Sequence, residues 1–283
     1  MDRHENRLKK LTDVTARGEG IISASVACCS KKSYGRLLDD VGALLEGGLN
    51  QLLLIFYAPE NMRVASIAPA EVAATRNSIA GGTYEEAFFD TAAAVRAAYP
   101  ELPLIASGVV PDVVTYGIGR FLQRIWETGV DAIDTPNYKA VADPIGLAAQ
   151  TLAAGVSYIP PITTSQLRLE LPEHQAFLSE TARIGSEEIF FIPGASGETK
   201  RITGAQFVSM VDCLREKQRQ QGTNGVIISI SGINTPEDAY QLTHVAGTDG
   251  VHFSSAYLNR VAAGTPANEI IAWLKEVKCA MNR

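Results

Sequence analysis

Short, nearly continuous apolar runs recur along the chain, separated by longer stretches of mixed character. The runs are IISASVACC (21–29), QLLLIFYA (51–58), PLIASGVV (103–110), DAIDTP (131–136), VSYIPPIT (156–163), EIFFIPGA (188–195), NGVIISIS (224–231) and GVHFSSAY (250–257). They do not alternate between apolar and polar positions, as a sheet with one wet face would. Each therefore predicts a strand buried on both faces, the mark of a parallel sheet covered by helices.

The stretches between them predict helices with recognisable stops. They cover 33–45 ending at Gly47-Gly48, 83–98 ending before Pro100, 112–128 ending at Gly129, 143–154 ending at Gly155, 203–221 ending at Gly222, and 266–281. The second interval is the longest and holds an extra helical piece over 68–80. Eight strand–helix units in roughly 260 residues is the arithmetic of an α/β fold of the (β/α)8 TIM-barrel kind. A doubly wound open sheet is the alternative. It would bring a glycine-rich turn after strand 1, where this chain has Cys28-Cys29-Ser30-Lys31. Residues 1–283 are expected to form one barrel domain, with 1–18 an N-terminal helical extension.

The chain has 283 residues, 46% of them hydrophobic and 20% charged, enough to bury one large core. A formal net charge of −6 argues against a nucleic-acid partner, which would call for a basic face. The N-terminal stretch has no apolar segment resembling a secretory signal, and the longest apolar run, 52–58, is too short to cross a bilayer. A cytoplasmic protein away from membranes is expected. Cys28, Cys29, Cys213 and Cys279 lack metal-ligand spacing and are expected to be reduced and mostly buried; no metal or other cofactor is implied.

The chemistry concentrates at the last two strand ends. Ser231-Gly232-Ile233 and Ser254-Ser255 follow strands 7 and 8, and each is followed by the start of a helix. Backbone N–H groups at such turns face an anion, and this is where barrels usually hold phosphate.

In order and spacing these segments resemble the α subunit of tryptophan synthase, among the ribulose-phosphate-binding barrels. The likeness runs from about Pro69 to the C-terminus. It includes TYEEAFFDTAAAVRAAYPELPL, ETGVDAIDTP, VSYIPPITTS, EIFFIPGASGETKRITG, ISGINTPED and GVHFSSA. The resemblance implies a retro-aldol lyase, a phosphorylated ligand and a β-subunit-like partner; a homo-oligomer is the other assembly considered. The family's lyase depends on a strand-2 glutamate and an aspartate in the loop beyond. Here strand 2 offers only apolar residues over 53–56, the loop reads Pro59-Glu60-Asn61-Met62-Arg63, and Ser254 stands where the family tends to have glycine.

At strand ends, Glu60 and Asp134 are the candidate acid–base residues. Asp134 closes an apolar strand, where a carboxylate must be paired or have a raised pKa; the family's nearby aspartate is associated with ligand contact and subunit communication. Tyr57, Asn137 and Tyr138 are candidate substrate contacts. The loop 194–201 reads as a lid, with Ser196, Gly197 or Lys200 touching phosphate. Asp112 is expected to cap a helix, Asp131 to be structural, and His252 to sit between helices and sheet, the alternative being an inward-facing base at the catalytic end of the barrel. Alternatives to the lyase are a non-catalytic member that binds a phosphorylated metabolite or a partner subunit, and a sugar-phosphate isomerase or epimerase.

Overall fold

The computed structural model of the chain describes residues 7–28, 34–56, 84–136, 138, 141–163, 167–192, 205–230 and 233–282. A short helix, α1 (Lys9–Ala16), precedes β1 (Ile21–Val26), α2 (Tyr34–Glu46), β2 (Gln51–Phe56), α3 (Tyr84–Ala98) and β3 (Leu104–Gly108). Next come α4 (Val110–Tyr116), α5 (Ile118–Glu127), β4 (Ala132–Asp134), α6 (Leu147–Ala153), β5 (Ser157–Ile159), β6 (Pro161–Thr163) and α7 (Pro172–Ile184). The chain ends through β7 (Glu188–Ile192), α8 (Ala205–Gln221), β8 (Val226–Ile230), α9 (Pro236–Tyr240), a π-turn (Gln241–Val245), β9 (Gly250–Phe253), α10 (Ser255–Ala262) and α11 (Ala267–Met281).

All strand pairings are parallel, in the order β5-β4-β3-β2-β1-β9-β8-β7-β6. β5 pairs with β4, while β6 pairs with β7. These two short strands are halves of one segment interrupted at Pro160, which has no N–H to give. Joined, they close an eight-stranded (β/α)8 barrel.

The predicted helices appear with shifted edges. The single helix expected over 112–128 is two, because Gly117 adopts φ +94° between α4 and α5. Asp112 is not the cap. Val109 takes that position, Pro111 occupies the first turn, and Asp112 lies buried in that same turn. α6 starts four residues later than expected, after Asp143 at φ +35°, whose carboxylate accepts from the Ala148 and Ala149 amides at 3.0 Å each. The helix-start reading after β8 matches the structure. Thr235 caps α9 in a reciprocal capping box with Asp238, and Pro236 takes the first turn.

Two cores result. The outer one lies between sheet and helices. Within it Phe56 is ringed by Tyr84, Phe88, Phe89, Tyr116 and Phe121 at centroid separations of 4.8–6.0 Å, each such pair adding about 0.5–1.5 kcal/mol beyond area burial. The inner core fills the barrel with Ile21, Leu53, Ile55, Ile105, Ala132, Ile159, Phe190, Val226 and Ile228. Leu8, just ahead of α1, and Leu11 and Val14 within it close its floor. Asp131 pins that floor: Arg7 donates at 2.9 Å, Arg96 at 2.8 Å and the Leu104 amide at 2.9 Å. Of the cysteines described, Cys28 is buried, Cys213 half-buried and Cys279 exposed, so the expected burial does not extend to the last helix.

Candidate functional site

Inward-facing residues stack in four-membered layers. Stepping through paired residues from Gln51 leads to Ser23, His252, Ile230 and, one position beyond the recorded pairs, Ile192. Yet the Gln51 side chain meets Glu188, four residues lower on β7, at 2.5 Å across the barrel. The stagger is therefore one residue per strand, as an eight-stranded barrel of shear 8 requires. One of these layers is Gln51, Ala132, Glu188 and Gly250. Above it lie Ser23, Ile105, Ile159 and Ile228, then Leu53, Asp134, Phe190 and His252. Ser25, Ser107, Pro161 and Ile230 follow towards the C-terminal mouth.

Asp134 ends β4 and is buried. Ser107 Oγ donates to its Oδ2 at 3.1 Å, and Oδ1 has no hydrogen-bond partner among the described residues. Burial pushes the carboxyl up to about 7, with the Ser107 bond pulling the other way. A carboxyl poised there both takes and gives protons near neutral pH.

His252 turns inward, contrary to the expectation that it lies between helices and sheet. Its parity on β9 matches Gly250 and Ser254, and Phe190 stands 6.1 Å from it, ring to ring. Nδ1 meets Ser23 Oγ and Nε2 meets Ser25 Oγ, both at 2.8 Å. Burial drives its pKa down to about 3, so the ring is a neutral bridge between two hydroxyls.

Ser254 follows β9 with its Oγ buried and unpartnered, and α10 opens without a side-chain cap. The turns after β8 and β9 follow paired, neighbouring strands. The first turn is partly occupied, however. The Asn234 and Thr235 amides both donate to Asp238 Oδ2 at 3.0 Å, so the capping box consumes donors that an anion would otherwise use. Ile233 packs its side chain into the outer core. Tyr138 is also committed: its hydroxyl donates to Asp143 Oδ1 at 2.6 Å instead of facing a ligand.

Glu60, Tyr57, Asn137, Gly197, Ser231 and Gly232 lie outside the described residues, as does the 194–201 loop. Among those described, the structure places Asp134 and Ser254 on lumen-facing positions two layers apart, with Ser255 opening α10. Sequence reasoning missed Gln51, Glu188, Ser23 and Ser25. Their signal was available: polar residues at alternate positions of otherwise apolar runs, all on one parity.

A tryptophan synthase alpha chain from Novosphingobium aromaticivorans is 30% identical to this chain over 237 residues, covering 82% of this chain and 83% of its own. This chain belongs to the tryptophan synthase alpha chain family. The alpha chain of Methanosarcina mazei is 27% identical over 245 residues, covering 85% of this chain and 82% of that one. No family model matches. In fold, the chain superimposes on a solved Aquifex aeolicus protein with a TM-score of 0.80 at 17% identity, over 98% of this chain and 100% of that one. On the tryptophan synthase alpha subunit of Legionella pneumophila the TM-score is 0.73 at 18% identity, with 98% of each chain covered.

The tryptophan synthase alpha chains are a TIM-barrel family with a retro-aldol-type lyase role. Within Gln51–Phe56, β2 offers no acid to the lumen. Its inward-facing residues above Gln51 are Leu53 and Ile55, both buried, while Leu52, Leu54 and Phe56 belong to the outer core. A strand-2 acid facing the lumen would occupy 53 or 55, and both positions are hydrocarbon.

Proposed function

We propose that this chain is a cofactor-independent, retro-aldol-type lyase for a small phosphorylated metabolite, with Asp134 moving the proton. Retro-aldol cleavage needs a base to take a hydroxyl proton as the carbonyl forms, and an acid to protonate the departing carbon. The observation that carries the reading is Asp134 itself: buried at a strand's C-terminal end, with one free oxygen and a pKa brought up to about 7. In this reading the amides opening α10, with Ser254 and Ser255, hold the phosphate. Ser231, Gly232, Ile233 and Gly197 complete the grip, Glu60 is the second acid, and Tyr57 and Asn137 orient the substrate. A β-chain-like partner docks at the mouth, as the family name of its relatives suggests.

The test is turnover of indole-glycerol phosphate and a panel of sugar phosphates by wild type and Asp134→Asn. The variant should keep phosphate-ester binding and lose at least about a hundredfold in kcat, the usual scale of a general acid–base residue. Equal rates in both proteins would remove Asp134 from the mechanism. Product analysis separates cleavage from isomerisation or epimerisation of the same ester.

A second reading is favoured by Leu53 and Ile55: a non-catalytic alpha-like protein that binds a phosphorylated metabolite or a partner subunit. It gains if wild type binds phosphate esters but turns none over.

A further inference from the structure

On the outer side of the barrel, away from the lumen, a cleft of about 150 Å³ opens between α2, α10 and α11. Its polar lining is Arg36 and Asp40 from α2, Tyr257 from α10 and Thr265 from the turn before α11; Val261 and Ile270 supply apolar wall. Arg36 is exposed at the rim, Asp40 is half-buried and Tyr257 is buried. None of Arg36, Asp40 and Tyr257 has a hydrogen-bond partner among the described residues, although each feels the charge of its neighbours.

That is an unusual way to leave a carboxylate. A half-buried acid without a hydrogen-bond partner is costly, and burial raises the Asp40 pKa, with the Arg36 charge pulling it back and Asp39 adding a smaller push upward. Arg36 lies one helical turn before it, so the two Cβ atoms stand about 5–6 Å apart, yet no ion pair closes between them. Together they present one positive and one negative group, side by side, over an apolar wall. A simple anion would be repelled by Asp40, and a simple cation by Arg36. A molecule carrying both charges on groups attached to one carbon satisfies both. The space limits it further, since a cavity of roughly 150 Å³ admits about six carbon-sized atoms, and anything larger must leave its anionic group outside, at the rim beside the exposed Arg36.

We propose that this cleft binds a small α-amino acid with an apolar side chain, in the range of alanine to valine. Its carboxylate faces Arg36, its ammonium faces Asp40, and its side chain lies against Val261 and Ile270, with the Tyr257 hydroxyl available to the carboxylate. This site is separate from the barrel lumen and does not depend on the reading of the mouth.

The experiment is isothermal titration calorimetry on the full chain with alanine and valine, and with isobutyrate and isobutylamine as the analogues that lack one charge. The amino acids should bind with a dissociation constant on the order of 1 mM, and each analogue at least about tenfold more weakly. Arg36→Gln and Asp40→Asn should each weaken valine binding about tenfold or more. Asp40→Asn should also strengthen isobutyrate relative to wild type, because the repelling carboxylate is gone. Arg36 is exposed and Asp40 half-buried, so a cooperative thermal transition at or above the wild-type midpoint confirms that the variants fold. No binding of either amino acid overturns the proposal. So does isobutyrate binding as tightly as valine, or valine binding that ignores both substitutions.

Discussion

Gln51 and Glu188 come from strands on opposite sides of the barrel and meet across its lumen, Gln51 Nε2 donating to Glu188 Oε1 at 2.5 Å. Two small residues complete that layer, Ala132 and Gly250, and leave room for two long side chains to reach each other. Gln51 Oε1 and Glu188 Oε2 are both buried without partners when the acid is ionised. One proton on Glu188 would resolve both at once if its O–H donates to Gln51 Oε1, making a cyclic acid–amide pair.

Burial accordingly raises the Glu188 pKa to about 8. A folded-state pKa above the unfolded value means that the native state binds the proton more tightly. Stability is then greatest below the unfolded value and falls as pH rises towards 8, by up to about 1.4 kcal/mol per pH unit for one group. Asp134, raised to about 7, acts in the same direction. Glu188→Gln reproduces the neutral pair and should match wild type near pH 5 while being more stable near pH 9. Urea midpoints across that range check it; parallel curves for the two proteins would reject the acid–amide pair.

His252 titrates with the opposite sign. Its pKa is depressed to about 3, so its contribution is intact above the unfolded value of about 6.5 and is lost as pH falls below that. Its ring signals in NMR should show no titration between about pH 5 and 8. A midpoint near 6 would mean that the ring is solvated. His252→Ala should cost on the order of 2–4 kcal/mol, by opening a cavity and leaving the Ser23 and Ser25 hydroxyls without their partner.

Asp131 binds two guanidinium groups and a backbone amide with its side chain only 1% exposed. Asp131→Ala leaves Arg7 and Arg96 facing each other without a counter-charge. The expected cost is about 3–5 kcal/mol, read by chemical denaturation, with loss of α1 docking as the local signature in hydrogen exchange. A cost under about 1 kcal/mol would place the clamp among ordinary surface pairs.

Gly250 is required by close approach. A Cβ there would stand 2.3 Å from the Ile21 carbonyl oxygen and 2.7 Å from Ile21 Cβ. Gly250→Ala should therefore push β9 from β1 and cost about 1–3 kcal/mol or more. Because β9 carries His252, the same variant should disturb the His252 ring resonances. An unchanged spectrum with unchanged stability would show that the seam gives way freely.

What the sequence settled by itself is the barrel. Near-continuous apolar runs can be stable only when covered on both faces, and eight of them with helices between leave few topologies. Helix starts were legible where their chemistry is local, as at Thr235-Pro236. They were misread where one glycine decided, as at Gly117, or where a side chain reached forward over the next turn, as at Asp143. The family likeness was legible too, since it rests on segment order.

Tertiary structure alone decided which polar residues share the lumen. Parity assigns a side chain to one face of a strand, but the stagger between strands decides what it meets across the barrel. Gln51 and Glu188 are 137 residues apart in the chain and Ser23 and His252 are 229 apart, so no local pattern could join them. Nor could one reveal that Asp238, four residues beyond Asn234, has already taken amides that the sequence offered to an anion. Backbone donors are local, but whether they are free depends on which side chain folds back upon them.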